Sequence, residues 1–123
     1  AANIIKEKKM FIISAVIDFE TEEERDQVIR ISTPIQLATR EQEAGCISYC
    51  FAADPVVANR MQVYELWQDE RSVVEHFKHE NYKKMLSLFM ESNIINSENQ
   101  IYRIDQHEPV YDANGNPKES FFR

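Results

Sequence analysis

The sequence predicts one α+β domain with element order β-α-β-β-α-β that pairs with a second copy of itself. Three observations carry this. The 123 residues suit one domain, which can bury roughly two-thirds of its unfolded surface. Short apolar runs rich in β-branched residues alternate with longer segments of helical period. The strand runs carry few polar residues on either face, whereas helices would cover one face only, so the second face needs a partner. With 43% apolar and 28% charged residues, the chain has the balance of an ordinary globular protein.

Met10 to Phe19 (MFIISAVIDF) is almost continuously apolar and is the first predicted strand. In Thr21-Glu22-Glu23-Glu24, the threonine hydroxyl can cap a helix while Glu24 reaches back, as in a capping box. The predicted stripe of that helix is Val28, Ile31, Ile35 and Ala38, with Arg25, Arg30, Arg40 and Glu41 on the wet side. Pro34 should kink or break it near Thr33, because a mid-helix proline loses a hydrogen bond and clashes with the preceding turn. Glu43-Ala44-Gly45 ends it, with glycine read as a left-handed cap. Cys46 to Ala53 is the second strand, Asp54 to Asn59 a hairpin-type connection, and Met61 to Trp67 the third strand. Met61, Val63, Glu65 and Trp67 share one of its faces, and Gln62, Tyr64 and Leu66 the other. Asp69 caps a second helix with Val73, Val74 and Phe77 inward, which resumes after Glu80 with Tyr82, Met85, Leu86 and Phe89. Ile101 to Ile104 is a short fourth strand, and from His107 an irregular tail is expected. The expected division is an N-terminal extension at 1–9, the domain at 10–106 and the tail at 107–123.

Acidic residues outnumber basic ones 21 to 14, a net charge of −7 that would repel a phosphate backbone, so nucleic acid is not an expected partner. No run of about 18 apolar residues is present to span a bilayer, and Ala1 to Met10 lacks the apolar stretch of a secretion signal. Cys46 and Cys50 sit four apart on a strand, about 13 Å between Cα atoms, too far for a mutual disulfide. They read as core filler in a reducing cytoplasm, outside any metal or redox motif.

In the middle of the chain stand Glu43-Ala44-Gly45-Cys46, Tyr49 in the next strand, Tyr64-Glu65-Leu66-Trp67-Gln68-Asp69-Glu70, and His76 seven residues after Asp69. With these residues the chain resembles the antibiotic biosynthesis monooxygenase (ABM) family. The resemblance implies a ferredoxin-like dimeric α+β barrel with an antiparallel sheet, helices on one face, and a small-molecule pocket between sheet and helices. Several members oxidise quinol-like or polyketide aromatic substrates with O₂, without metal or flavin, so no cofactor is expected. A haem-degrading branch carries a tryptophan and a histidine about nine and nineteen positions beyond an aromatic that ends the third strand. Here those positions hold His76 and Leu86, and neither Ser14 nor Ala15 supplies that branch's asparagine amide, so haem degradation is rejected.

His76 is the expected catalytic residue, because imidazole titrates near neutral pH and can remove a phenolic proton to leave an anion that reacts with O₂. Its bland alternative is a helix-surface histidine bonded to water or a carboxylate. Trp67, Tyr49, Phe77 and Ser14 are the expected substrate-binding residues, with ordinary core packing as the alternative for the aromatics. Glu65 needs a partner in such apolar company, and an ion pair across the dimer is the expected one. His79 and His107 read as solvated, and the acidic patch from Glu20 to Glu24 as a helix start, not a metal site. The expected function is cofactor-independent oxidation of a phenolic or quinol substrate. A non-catalytic dimeric binding or stress-response module, and an isomerase of a small phosphorylated signalling metabolite, stand beside it.

Overall fold

The computed structural model of the protein describes residues 8–123. The expected extension at 1–9 therefore lies almost wholly outside the described residues. The elements run β1 (Phe11–Phe19), α1 (Glu22–Gln42), β2 (Cys46–Ala53), β3 (Arg60–Trp67), α2 (Glu70–Lys78), α3 (Glu80–Met90) and β4 (Ile94–Arg103). The four strands form one antiparallel sheet in the order β2-β3-β1-β4, the ferredoxin-like arrangement.

Strand alternation sorts the sheet into two faces. Ala15, Ile17 and Phe19 of β1, Met61, Val63, Glu65 and Trp67 of β3, and Tyr49 and Phe51 of β2 are buried beneath the helices. Ser14, Val16, Gln62, Tyr64 and Leu66 point the other way, with Ser14 paired to Tyr64 and Val16 to Gln62. That second face is open: Ser14 is exposed and Tyr64 is 45% exposed.

Helix α1 begins with Thr21 Oγ1 accepting from the Glu24 N–H, as expected, but the Glu24 carboxylate accepts from the Asn93 backbone N–H and side-chain amide instead of reaching back to Thr21. Its buried side, however, is Arg25, Val28, Ser32, Gln36 and Thr39, one position away from much of the predicted stripe, and Ile31 is 48% exposed. The reason is the sheet edge. Edge strand β2 leaves outward backbone groups, and a buried Gln36 both donates to the Phe51 carbonyl (3.1 Å) and accepts from its N–H (2.9 Å). Arg40 Nε donates to the Tyr49 carbonyl at 2.7 Å. Arg25, expected in water, is buried and donates to the carbonyls of Asp54 and Arg60 at the hairpin. A hydrophobicity count cannot find a helix face chosen for its hydrogen bonds.

Four further expectations are corrected. Pro34 does not break α1, which runs unbroken from Glu22 to Gln42 while the Ser32 and Thr33 hydroxyls donate to the Ile29 carbonyl beside it. Gly45 has no positive φ; it is small because a Cβ there would lie 1.9 Å from Ser72 Oγ and 2.3 Å from Ser72 Cβ. β4 is ten residues long, not four, and almost entirely exposed, so its polar half (Asn96, Ser97, Glu98, Asn99) is strand by virtue of pairing with β1 rather than by propensity. The second helical region divides at His79 into α2 and α3, and Val74, expected inward, is 44% exposed. Beyond Ile104 the chain forms no helix and no strand apart from an isolated bridge between Tyr111 and Pro117.

Candidate functional site

A cavity of about 430 Å³ lies between the inner face of the sheet and helices α2 and α3. Its floor is Ile13, Ala15 and Val63, and its helical wall is Phe77, Tyr82, Met85 and Phe89. Besides the phenols of Tyr49 and Tyr82, four polar residues interrupt this apolar lining: His76 from α2, Glu65 from β3, and Ser97 and Asn99 from β4. No lysine or arginine lines it.

His76 is 2% exposed, so it is not the surface histidine of the bland alternative. Its ring packs on Trp67 at 4.5 Å between centroids, with Tyr49, Tyr82 and Phe77 at 5.5, 5.6 and 5.7 Å. Nδ1 lies 2.8 Å from Glu43 Oε1. Glu43, the C-cap of α1, also accepts from Asn81 Nδ2 of α3 at 3.1 Å through its other oxygen. With Glu43 Oε1 as the acceptor, Nδ1–H is the donor and Nε2 keeps the lone pair. Nε2 has no hydrogen-bond partner, yet no sealed side-chain nitrogen or oxygen among the described residues lacks one, so Nε2 opens on the cavity that the ring lines. Burial holds the His76 pKa below its ordinary value, with the Glu43 hydrogen bond opposing the shift. The ring is thus a neutral, oriented base at pH 7.

Glu65 is 6% exposed and sits on the same inner face. An ion pair across a dimer was the expectation for it; strand alternation instead points it under the helices, away from the open face of the sheet, and its partner is the Trp67 indole, whose Nε1 donates to Oε1 at 3.0 Å. Burial pushes its carboxyl up to about 7.

The expected substrate-binding residues fare differently. Tyr49 and Phe77 line the cavity, Tyr49 buried and Phe77 46% exposed at its mouth. Trp67 does not line it; the indole is fully buried behind His76, where it fixes that ring and Glu65. Ser14 is on the open face of the sheet, because Ala15 takes the inward position at that point of β1. Burial keeps the Tyr49 phenol protonated and pushes the Cys46 thiol up to about 11, the behaviour of an inert filler; both cysteines are free. His79 neither faces the cavity nor is simply solvated: its Nδ1 accepts from the Asn81 N–H and caps α3. Glu43 was missed as a site residue. A signal existed, since an acidic residue at a helix C-terminus opposes the helix dipole and calls for a compensating donor.

No helix of the described residues is long and apolar enough to cross a membrane, and no cluster of three or more metal-ligating side chains occurs among them. The family model described as antibiotic biosynthesis monooxygenase matches residues 10–87. No match was found among curated proteins. Among solved structures, a Deinococcus radiodurans protein that carries the same family name provisionally is 17% identical, with 83% of this chain and 99% of that one covered at a TM-score of 0.72. A Caulobacter crescentus protein named in the same way is 14% identical over 82% of this chain and 92% of its own, at 0.69. A Bacteroides thetaiotaomicron protein, described as of unknown function and a possible oxidoreductase, is 15% identical over 80% of this chain and all of its own, at 0.70. At these identities the likeness is one of fold.

Proposed function

The chain belongs to the antibiotic biosynthesis monooxygenase family, and from that premise we propose that it is a cofactor-independent monooxygenase acting on a small, uncharged phenolic or quinol-type aromatic. The observation that carries the reading is the buried Glu43–His76 pair, with Nε2 opening on an apolar cavity. In the proposed reaction, Nε2 takes a proton from the bound aromatic while Glu43 stabilises the imidazolium that forms. The resulting anion is electron-rich enough to reduce O₂. One oxygen atom is retained at the attacked ring carbon, whose C–H becomes C=O as the phenol becomes a quinone, and the other leaves as water with that hydrogen and the phenolic one; the substrate supplies the electrons.

The same lining argues against the isomerase of a phosphorylated metabolite. A phosphate dianion would enter a low-dielectric cavity holding Glu65 and no cationic side chain, at a desolvation cost nothing there offsets. In this reading the open face of the sheet, with Val16, Tyr64 and Leu66, is covered by a second copy in a reducing cytoplasm; a monomeric mass by light scattering at micromolar concentration would refute that part.

The test is oxygen uptake with a panel of reduced quinols and polycyclic phenols, run beside His76→Ala. Uptake without added metal or flavin that falls about 100-fold or more in the variant, with the circular dichroism unchanged, is the expected result. Uptake equal in both proteins would refute the role of His76, and none across the panel would favour the binding module.

A further inference from the structure

The mechanism above leaves one buried carboxyl unused. Glu65 projects from the middle of β3 into the cavity floor, 6% exposed, between Ile13 of β1 and Tyr49 of β2 in the pairing of the strands. Its Oε1 is engaged by the Trp67 indole N–H at 3.0 Å. Among the described residues, its Oε2 has no hydrogen-bond partner. Because no sealed side-chain oxygen among the described residues lacks a partner, Oε2, like His76 Nε2, opens on the cavity. Two polar atoms of opposite character therefore look into one apolar chamber: a lone pair on imidazole and a carboxyl oxygen that can carry a hydrogen.

We propose that Glu65 is a specificity-determining residue of this cavity, donating a hydrogen bond from its free carboxyl oxygen to an oxygen acceptor on a flat, uncharged aromatic ligand. The ligand class is thereby narrowed to aromatics bearing two oxygen functions, a hydroxyl for His76 and a carbonyl or ether-like acceptor for Glu65. The inference rests on reading this cavity as the substrate site. The Trp67 bond fixes which oxygen is free, and burial, which raises the carboxyl to about 7, keeps the hydrogen available at neutral pH and below. The titratable groups around Glu65 are Glu43 at the end of α1, Tyr49 and Cys46 on β2, His76 on α2 and Tyr82 on α3; β1 and β4 present no charged side chain to the cavity. Glu43 reinforces the upward shift, and no cation opposes it.

The experiment compares binding of 2,3-dimethyl-1,4-naphthoquinone and 2,3-dimethylnaphthalene to the full chain between pH 5.5 and 8.5, read by quenching of Trp67, the single tryptophan. Neither probe titrates, so any pH dependence belongs to the protein. The wild type should prefer the quinone by about tenfold at pH 5.5, the value of one hydrogen bond to a buried group, and lose that preference as pH rises through about 7. Glu65→Gln keeps an acceptor for Trp67 and a permanent N–H donor, so its preference should stay flat across the range. A wild-type preference that is absent or constant with pH would overturn the proposal. So would a decline in Glu65→Gln parallel to the wild type, which would assign the effect to His76. Oxygen uptake is not read here, so failure of this inference and failure of the oxygenase reading are separate results.

Discussion

Replacing Gly45 with alanine should destabilise the fold and loosen the site together. A Cβ on Gly45 would stand 2.3 Å from Ser72 Cβ and 1.9 Å from Ser72 Oγ. The hydroxyl could swing away, at the loss of its 2.7 Å bond to Asp69 Oδ1, but Ser72 Cβ cannot. Restoring an ordinary carbon contact of about 3.5 Å requires the exit of α1 and the first turn of α2 to separate by roughly 1 Å. Two bonds resist: Gln68 N–H to the Gly45 carbonyl at 2.9 Å, and Glu43 to His76, one helical turn beyond Ser72, at 2.8 Å. Overpacking of this kind costs about 1–3 kcal/mol, against a gain of about 0.5 kcal/mol from a stiffer unfolded chain. A net loss of about 1.5 kcal/mol corresponds to a fall in Tm of roughly 6 °C for a domain of this size. Urea denaturation of Gly45→Ala, Ser72→Gly and the double variant measures it. Ser72→Gly alone should cost about 1 kcal/mol as a helix glycine, and the double variant should be more stable than the sum of the single losses by about 1–2 kcal/mol. If the two losses simply add, the clash is not the reason for the glycine and the packing argument fails.

Glu43→Gln should keep the fold and lower turnover by about 10- to 100-fold. The carboxylate raises the basicity of His76 against the desolvation that depresses it, so the acid limb of kcat/KM should move to lower pH in the variant; an unmoved limb would show that Glu43 does not act through His76. Glu65 also predicts a pH dependence of stability. Its folded carboxyl holds a proton to about 7 against an ordinary 4.5, so ionising it in place is unfavourable: the penalty is absent below the unfolded value, grows through the window from about 4.5 to 7, and reaches about 3 kcal/mol above it. The stability of Glu65→Gln relative to wild type should therefore rise between pH 5 and pH 8 in urea denaturation, and a pH-independent difference would contradict the burial argument.

The elements that rest on apolar pattern and the local helix caps at Thr21 and Asp69 were legible in the sequence, and those that rest on hydrogen bonds between distant segments were not. β1, β2 and β3 and the break of the second helical region at His79 follow from runs of Ile, Val, Phe and Met at strand or helix spacing. The inner face of α1 was misplaced because Gln36 and Arg25 are buried for the sake of backbone groups on β2 and the hairpin, a demand that exists only once the sheet has an edge. β4 was cut short for a related reason, since Asn96 to Gln100 has no strand propensity of its own and takes its conformation from β1. Residue type alone singled out His76, Tyr49 and Phe77, and the fold brings all three to one cavity. Ser14 failed on a period-two argument that the alternation of β1 already contained: Ala15 and Ile17 share a face, and Ser14 cannot join them.

The two carboxyls near His76 have separate roles because their surroundings differ. Glu43 has both oxygens bonded, one to His76 Nδ1 and one to Asn81 Nδ2, so it is saturated by the protein and can only orient and charge the imidazole. Glu65 has one oxygen bonded to Trp67 and one open on the cavity, in a position where burial favours the neutral acid. A fold selected for stability alone would gain from an apolar residue at 65, because the neighbouring side chains of the cavity floor are Ile13, Ala15 and Val63, and a carboxyl there costs about 3 kcal/mol once ionised. That penalty is intelligible if the open oxygen meets a ligand. In the proposed reading the first carboxyl serves the base and the second serves recognition, so exchanging each in turn for its amide should separate the turnover defect from the binding defect.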